Sequence, residues 1–178
     1  KDFSNEGIDK LHNPEFLQVE TMWAYADYKD NMKLCEEMIK HIAKKVFGTL
    51  KLKTDKGVIN LKTPWKKIKF IDAIKKYANI NPTNLNIEKA KEHAKNLGVD
   101  VNKCESVGAV LMTIFENIIQ PKLIQPTIVY DYPKEIFGLA KQNRKDARFA
   151  EAFEPIINGV ELGLSYSEEN NPERLREY

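Results

Sequence analysis

The chain has 178 residues, of which 42% are hydrophobic and 30% are charged, and its formal net charge is +2. This composition is typical of one globular domain that can bury a sizeable core. It excludes a membrane protein, because no stretch approaches the ~18–20 consecutive apolar residues of a membrane-spanning helix.

The sequence favours a cytoplasmic protein. No charged segment followed by an apolar run opens the chain, so a secretory leader is not indicated. The two cysteines, Cys35 and Cys104, are far apart and form no CxxC pair. We expect both to be buried free thiols, as in a reducing compartment.

The first predicted elements are a strand and a helix. Residues 15–28 are rich in aromatic and β-branched side chains, which predicts a strand with one buried face. A helix follows, with Asp30 as its N-cap and Gly48 as its C-terminal stop. Its predicted buried stripe consists of Leu34, Met38, Ile42 and Val46, with Cys35 and Ile39 beside it.

A lysine-rich hairpin is predicted next. Strands at Leu50–Lys53 and Val58–Lys62 flank a turn at Asp55-Lys56-Gly57. Between Lys40 and Lys69 there are ten lysines and a single acid. This run is either a solvated face or an electrostatic surface for a polyanion such as RNA.

Helical patterns dominate residues 66–125, and strands return after them. The helices are predicted around residues 70–77, 87–97 and 106–119. The strands are predicted at Thr127–Tyr130, Phe153–Ile157 and Val160–Tyr166, the last two joined at Asn158-Gly159. Strands, a helical insert and further strands together predict an α+β domain on an antiparallel sheet.

Several common enzyme classes are excluded by missing motifs. The sequence contains neither GxGxxG nor GxxxxGK[ST], so no glycine-rich phosphate loop is present. No Cys and His residues have zinc-ligand spacing. No GxSxG surrounds a serine, so a hydrolase nucleophile is not indicated.

The residues that remain for chemistry are acids on predicted strands. Glu154 and Glu161 flank the Asn158-Gly159 turn, where they can face each other across the hairpin. Each either points to solvent or shares a hard cation such as Mg²⁺ with its neighbour. Glu20 and Glu168 lie among aromatic residues. Acids in such surroundings are either solvated or bind a cationic substrate.

Three groups of motifs resemble the lysyl-tRNA synthetases of class II. The first is Phe3-Ser4-Asn5-Glu6-Gly7, followed by HNPEF from His12 and AYADY from Ala24, where the family has FRNEG, HNPEF and AYADY. The second includes Gln125-Pro126-Thr127, Asp131, Pro133, Glu135-Ile136 and Leu139-Ala140-Lys141. The third includes Phe153-Glu154, Gly159, Glu161-Leu162, Ser167-Glu168 and Asn171-Pro172.

The resemblance implies a role for each matching residue. Glu6 and His12 match positions that contact ATP, and Phe16 matches the ring that stacks on adenine. Glu154 and Glu161 match the glutamates that hold Mg²⁺ on the triphosphate. The substrate lysine pocket is implied at Glu20, Met22, Leu164, Tyr166 and Glu168. The implied reaction is activation of lysine by ATP and transfer to tRNA(Lys).

Three positions depart from the family pattern. Ser4 stands where the family has a catalytic arginine that grips the substrate carboxylate and the α-phosphate, which a hydroxyl cannot replace. Leu164 stands at a usual asparagine and Met22 at a usual aromatic residue. These changes leave open a non-catalytic, synthetase-like paralogue that binds a ligand, RNA or protein, or an enzyme for another amino acid.

The resemblance covers the central part of the family's catalytic domain. Residues 1–65 are expected to hold motif 2 and the hairpin, residues 66–125 a helical insert, and residues 126–178 the returning strands of the active-site sheet. Motifs 1 and 3 have no counterpart in the sequence, so we expect a fragment that is inactive by itself. A homodimer is expected of the full-length protein.

Overall fold

A computed structural model describes residues 1–5, 7–9 and 12–176 as a mixed α+β structure. Five α-helices and nine strands occur among these described residues, and π-helical turns at Ile74–Ala78 and Phe115–Ile119 continue two of the helices. The helices are α1 (Tyr28–Phe47), α2 (Phe70–Ala73), α3 (Ile87–Asn96), α4 (Val107–Ile114) and α5 (Pro172–Leu175). The strands are β1 (Asp2–Phe3), β2 (Glu15–Phe16), β3 (Lys51–Thr54), β4 (Gly57–Asn60), β5 (Lys66–Lys69), β6 (Thr127–Tyr130), β7 (Ala152–Ile157), β8 (Val160–Glu161) and β9 (Ser165–Tyr166).

The main sheet has the order β5-β6-β7, and β8 and β9 both pair with β7. All of its pairs are antiparallel except β5–β6, which is parallel. The prediction of a wholly antiparallel sheet is therefore wrong at this one edge. Residues 66–69 were expected to be helical, but pairing with β6 supplies a hydrogen-bonded partner that the local sequence does not reveal.

Two hydrophobic cores cover the two faces of this sheet. On one face, Ile128 and Phe153 pack with α1 and the β3–β4 hairpin. On the other, Val129 and Ile156 pack with helices α2, α3 and α4. This division follows from strand geometry, because successive side chains point to opposite faces.

Helix α1 begins and ends at identifiable caps. Asp27, and not Asp30 as predicted, is the N-cap, and Asp30 completes a capping box with it. The C-cap is Gly48, as predicted, in the left-handed conformation with a φ of 69°.

The buried face of α1 differs from the predicted stripe. Tyr28, Met32 and Ala43 are buried, whereas Leu34, Met38, Ile42 and Val46 are 38–66% exposed. The core formed with the sheet and the hairpin includes Tyr28, Met32 and Ala43, and Cys35 and Ile39 pack partly buried against it. The prediction was wrong because periodicity shows that apolar stripes exist but not which one a neighbour covers.

The strand predicted over residues 15–28 is confirmed only at Glu15–Phe16, which pairs with β1. Beyond it, residues 17–23 pair with no strand among the described residues, and Trp23 and Tyr25 are exposed. A strand needs a hydrogen-bonded partner, so aromatic composition alone does not form one.

Most of the other local predictions are confirmed with small shifts. The β3–β4 hairpin turns at Asp55-Lys56, α3 ends just before Gly98, and β6 has the predicted bounds. The second arm of the later hairpin is divided into β8 and β9. Both cysteines are free, as predicted, but only partly buried. None of the helices in the described part of the chain is long and apolar enough to cross a membrane.

Candidate active site

Glu154 and Glu161 lie on the same face of the β7–β8 hairpin. Asn158 and Gly159 form its turn with φ values of 59° and 78°. The register pairs Ile156 with Glu161, and Glu154 is two residues from Ile156 on the same strand. Side chains two apart on a strand share a face, as do directly opposite side chains. The hairpin thus brings the two carboxylates together as the sequence predicted.

The protonation of this pair reflects burial and repulsion. Burial, with the charge of Glu161, raises the pKa of Glu154 to about 8, against an opposing hydrogen bond from Tyr132. Burial and the charge of Glu116 raise the pKa of Glu161. Two carboxylates in such a setting repel each other unless a cation lies between them.

The donor set fits a hard cation that also binds a phosphate ligand. Mg²⁺ is commonly held by only one or two carboxylates together with substrate phosphates. Within the described residues, no group of three or more His, Cys, Asp or Glu side chains could hold a metal by itself. The Glu154–Glu161 pair therefore fits a site that binds Mg²⁺ with a nucleotide, and not a structural metal centre.

Tyr166 shares the sheet face of the two glutamates. Strand β9 pairs with the start of β7, with Ala152 opposite Tyr166. Because Ala152 and Glu154 are two residues apart, the tyrosine ring and the Glu154 carboxylate lie on one side of the sheet. Burial, followed by the charges of Glu168 and Glu20, raises the pKa of Tyr166. Both acids are therefore close enough to Tyr166 to act on its hydroxyl.

All five residues predicted to bind lysine line one cleft of about 630 Å³. These residues are Glu20, Met22, Leu164, Tyr166 and Glu168. A volume of this size suits a small-molecule ligand. The cleft is bordered by β9 and the segment before it, by Phe153 and Pro155 of β7, and by α1 through Leu34 and Met38.

The described residues predicted to bind ATP, His12 and Phe16, do not line this cleft. Ser4 and Phe16 lie on or beside the small β1–β2 hairpin, where Ser4 N–H donates to Pro14 O at 3.0 Å. His12 Nδ1 lies 2.8 Å from Asp9 Oδ2, and the Phe16 side chain is partly exposed. Glu6 lies outside the described residues. The described structure thus gathers the predicted lysine residues in the cleft and the predicted magnesium residues on the β7–β8 hairpin. Glu154 and Glu161 are not among the described residues that line the cleft, and neither are His12 and Phe16.

Three further polar residues near these sites were missed by the sequence prediction. Glu116 follows α4 and raises the pKa of both Glu154 and Glu161. Tyr132 donates a hydrogen bond to Glu154 Oε2 at 2.6 Å. Arg144 lines the cleft, where buried Glu151 accepts from its Nη2 at 3.2 Å. These residues come from distant parts of the chain. The only sequence signal near any of them is at Tyr132, whose neighbours Asp131 and Pro133 match the family motifs.

Comparison with known proteins identifies relatives over nearly the whole chain. The family of class II tRNA synthetases (D, K and N) matches residues 1–178. The chain is 43% identical to the lysine–tRNA ligase of Bacillus cereus (strain B4264) over 171 residues, which are 96% of this chain and 34% of the relative. It is 42% identical, with the same coverage, to the lysine–tRNA ligases of Bacillus cytotoxicus and Bacillus mycoides (strain KBAB4). The chain therefore spans about a third of the length of these curated relatives.

Proposed function

The chain belongs to the class II tRNA synthetases (D, K and N), and we propose that the full-length protein is a lysine–tRNA ligase of the cytoplasm. Lysine and tRNA(Lys) would be its substrates, with ATP and Mg²⁺ as cofactors. Within it, the chain would form part of the active-site sheet of the class II catalytic core, with residues 66–125 as the helical insert. A homodimer is the proposed assembly.

The observation that carries the proposal is that all five residues predicted to bind lysine, among them Glu20, Tyr166 and Glu168, line one cleft. Tyr166 lines this cleft and also lies on the sheet face of Glu154 and Glu161, so it is the residue common to the two proposed sites. Enzymes that join two bound substrates gain much of their rate from positioning them.

Each residue has a defined task in the proposed reaction. Glu20 and Glu168 would take the side-chain ammonium of lysine through charge-assisted hydrogen bonds. The ring of Tyr166 would lie along the aliphatic stem of the substrate. Met22 and Leu164 would form apolar parts of the same wall.

The nucleotide would be held by residues near the start of the sequence and by the two glutamates of the β7–β8 hairpin. Phe16 would stack on adenine, and Glu6 and His12 would contact the nucleotide. Glu154 and Glu161 would hold Mg²⁺, which supplies charge neutralisation on the triphosphate.

The chemistry is two successive transfers. The lysine carboxylate attacks the α-phosphorus of ATP, pyrophosphate leaves, and lysyl-adenylate is formed. A terminal ribose hydroxyl of tRNA then attacks the activated carbonyl, and AMP leaves. The protein residues act by orienting the two anions and stabilising the developing charge.

A second candidate is a synthetase-like paralogue that binds a ligand, RNA or protein without catalysing adenylation. Ser4 favours it, since the position expected to hold a catalytic arginine carries no cation. Leu164 favours it too, because an apolar side chain lines the cleft where a hydrogen-bonding amide is expected.

The test is ATP–pyrophosphate exchange by the full-length protein with each of the twenty amino acids. We expect exchange with lysine alone. Exchange with a different amino acid would assign another substrate to the cleft, and no exchange with any of them would favour the paralogue. Glu154→Gln is the matched inactive control, since it removes one proposed metal ligand without changing the size of the side chain.

A further inference from the structure

Tyr132 follows the end of strand β6 and is completely buried. Three phenylalanine rings surround its ring, with centroids 4.9 Å away for Phe70, 6.2 Å for Phe115 and 5.3 Å for Phe137. The last two contacts are edge-on, with interplanar angles of 86° and 87°. A ring enclosed in this way is held in one orientation, so the position of its hydroxyl is fixed by the core.

The Tyr132 hydroxyl donates to Oε2 of Glu154 at 2.6 Å. This distance is typical of a strong O–H···O hydrogen bond to a carboxylate. Glu154 is itself buried, with 3% of its surface exposed. Its Oε2 is therefore fixed by a rigid partner, while its Oε1 accepts no hydrogen bond from the described residues.

We propose that Tyr132 is the positioning residue for Glu154, holding Oε2 and leaving Oε1 as the oxygen that binds Mg²⁺. The proposal rests on the function proposed above, because it assumes that Glu154 and Glu161 hold the cation. Glu161 has no such anchor. It is exposed, and its carboxylate accepts no hydrogen bond from the described residues. The tyrosine thus makes one of the two proposed ligands rigid and leaves the other free to adjust.

The effect expected from losing this hydrogen bond is a weaker cation site. Residues that orient a metal ligand typically contribute about 10–100-fold to metal affinity. Tyr132→Phe removes the hydroxyl and keeps the ring, so the aromatic packing is preserved. Tyr130→Phe is the matched control, since Tyr130 lies two residues earlier and its hydroxyl has no hydrogen bond within the described part of the chain.

The experiment measures Mn²⁺ binding to the full-length protein with a non-hydrolysable ATP analogue, by electron paramagnetic resonance. We expect Tyr132→Phe to raise the Mn²⁺ dissociation constant about tenfold and Tyr130→Phe to leave it unchanged. Thermal melting of each variant verifies that it is folded. Equal Mn²⁺ affinity for the Tyr132→Phe and wild-type proteins would overturn the proposal.

A double-mutant cycle with Glu154→Gln separates positioning from a general structural effect. If Tyr132 acts through Glu154, Tyr132→Phe will have no further effect on Mn²⁺ affinity in the Glu154→Gln background. Equal losses in both backgrounds would overturn the proposal while leaving the metal site intact. If Glu154→Gln itself leaves Mn²⁺ affinity unchanged, the magnesium role of Glu154 fails, and the proposal fails with it.

A second comparison serves if Tyr132→Phe does not fold. Glu154→Asp keeps the charge but withdraws the carboxylate from the fixed hydroxyl, whereas Glu161→Asp shortens the unanchored ligand. We expect the larger loss of Mn²⁺ affinity from Glu154→Asp. Equal losses would contradict an anchoring role for Tyr132.

Discussion

Tyr166 lies opposite Ala152 in the β7–β9 pair, and this register places its ring on the sheet face that also carries the Glu154 carboxylate. A register shift of one residue would move Tyr166 to the other face, towards α1. The register therefore decides whether Tyr166 shares a sheet face with the two glutamates. Five predictions follow from this arrangement and its surroundings.

Loss of either cleft acid should weaken lysine binding. Glu20→Gln and Glu168→Gln keep the size of the side chain but remove its charge. We expect each to raise the dissociation constant of lysine about tenfold, the value of one charge-assisted hydrogen bond. Titration calorimetry on the full-length protein measures the dissociation constant of lysine. Glu88→Gln, on the exposed side of α3, is the control. An equal effect of Glu88→Gln would mean that Glu20 and Glu168 do not bind the lysine ammonium.

The stability of the fold should fall as the pH rises through the titration range of Glu154. The pKa of Glu154 is raised from 4.5 to about 8 by burial and by the charge of Glu161. Between these pH values the native protein keeps a proton that the unfolded chain has released. The free energy of unfolding should therefore decrease from about pH 4.5 to about pH 8, by up to about 5 kcal/mol.

Glu154→Gln should remove most of this pH dependence, because glutamine does not titrate. Urea unfolding at pH 5 and pH 8 measures the difference for each protein. Glu173→Gln, at an exposed position of α5, should keep the wild-type slope. A slope that persists in the Glu154→Gln protein would assign the titration to another group.

Restoring an arginine at position 4 should increase adenylate formation. A transition-state donor of this kind is worth about 10²–10³ in rate, so Ser4→Arg should raise lysine-dependent ATP–pyrophosphate exchange by up to that factor. Asn5→Arg adds the same charge at the neighbouring exposed position and should have little effect. An unchanged rate in the Ser4→Arg protein would favour the non-catalytic paralogue.

Gly159→Ala should destabilise the hairpin that carries both glutamates. Gly159 has a φ of 78°, and a Cβ atom there would lie 3.0 Å from the Pro121 Cα. We expect a loss of about 1–2 kcal/mol beyond that of Gly48→Ala. Gly48 has a similar φ of 69°, but its surroundings are open, so the difference between the two variants isolates the close approach to Pro121. Urea unfolding measures both, and equal losses would contradict the close-contact explanation.

The lysine-rich hairpin should contribute to RNA affinity. Lys51 and Lys53 are two apart on β3 and both are exposed, so their ammonium groups lie on the same face. Replacing both with Gln should lower tRNA affinity at low salt about tenfold and reduce the salt dependence by about two counterions. Lys89 and Lys95, exposed on α3, form the control pair. Unchanged affinity would mean that the hairpin is only a solvated face.

The local signals of the sequence predicted much of the site's framework. The Asn158-Gly159 pair predicted a hairpin because both positions need a positive φ, and the hairpin then fixed the common face of Glu154 and Glu161. The cleft residues were predicted by their motifs and not by local patterns, since a single exposed Leu164 or Met22 carries no signal of its own. The predicted strand after Phe16 failed because its partner strand is not encoded locally.

What the sequence by itself determined is where turns, caps and elements occur, because these depend on residues close together in the chain. Gly48 ends α1 and Gly98 follows α3 for this reason. Only the tertiary structure decided which stripe of α1 is buried, that the lysine-rich β5 pairs in parallel with β6, and that Tyr132 reaches Glu154. These features depend on contacts between distant segments, whose packing and hydrogen bonding override the local preferences of either segment.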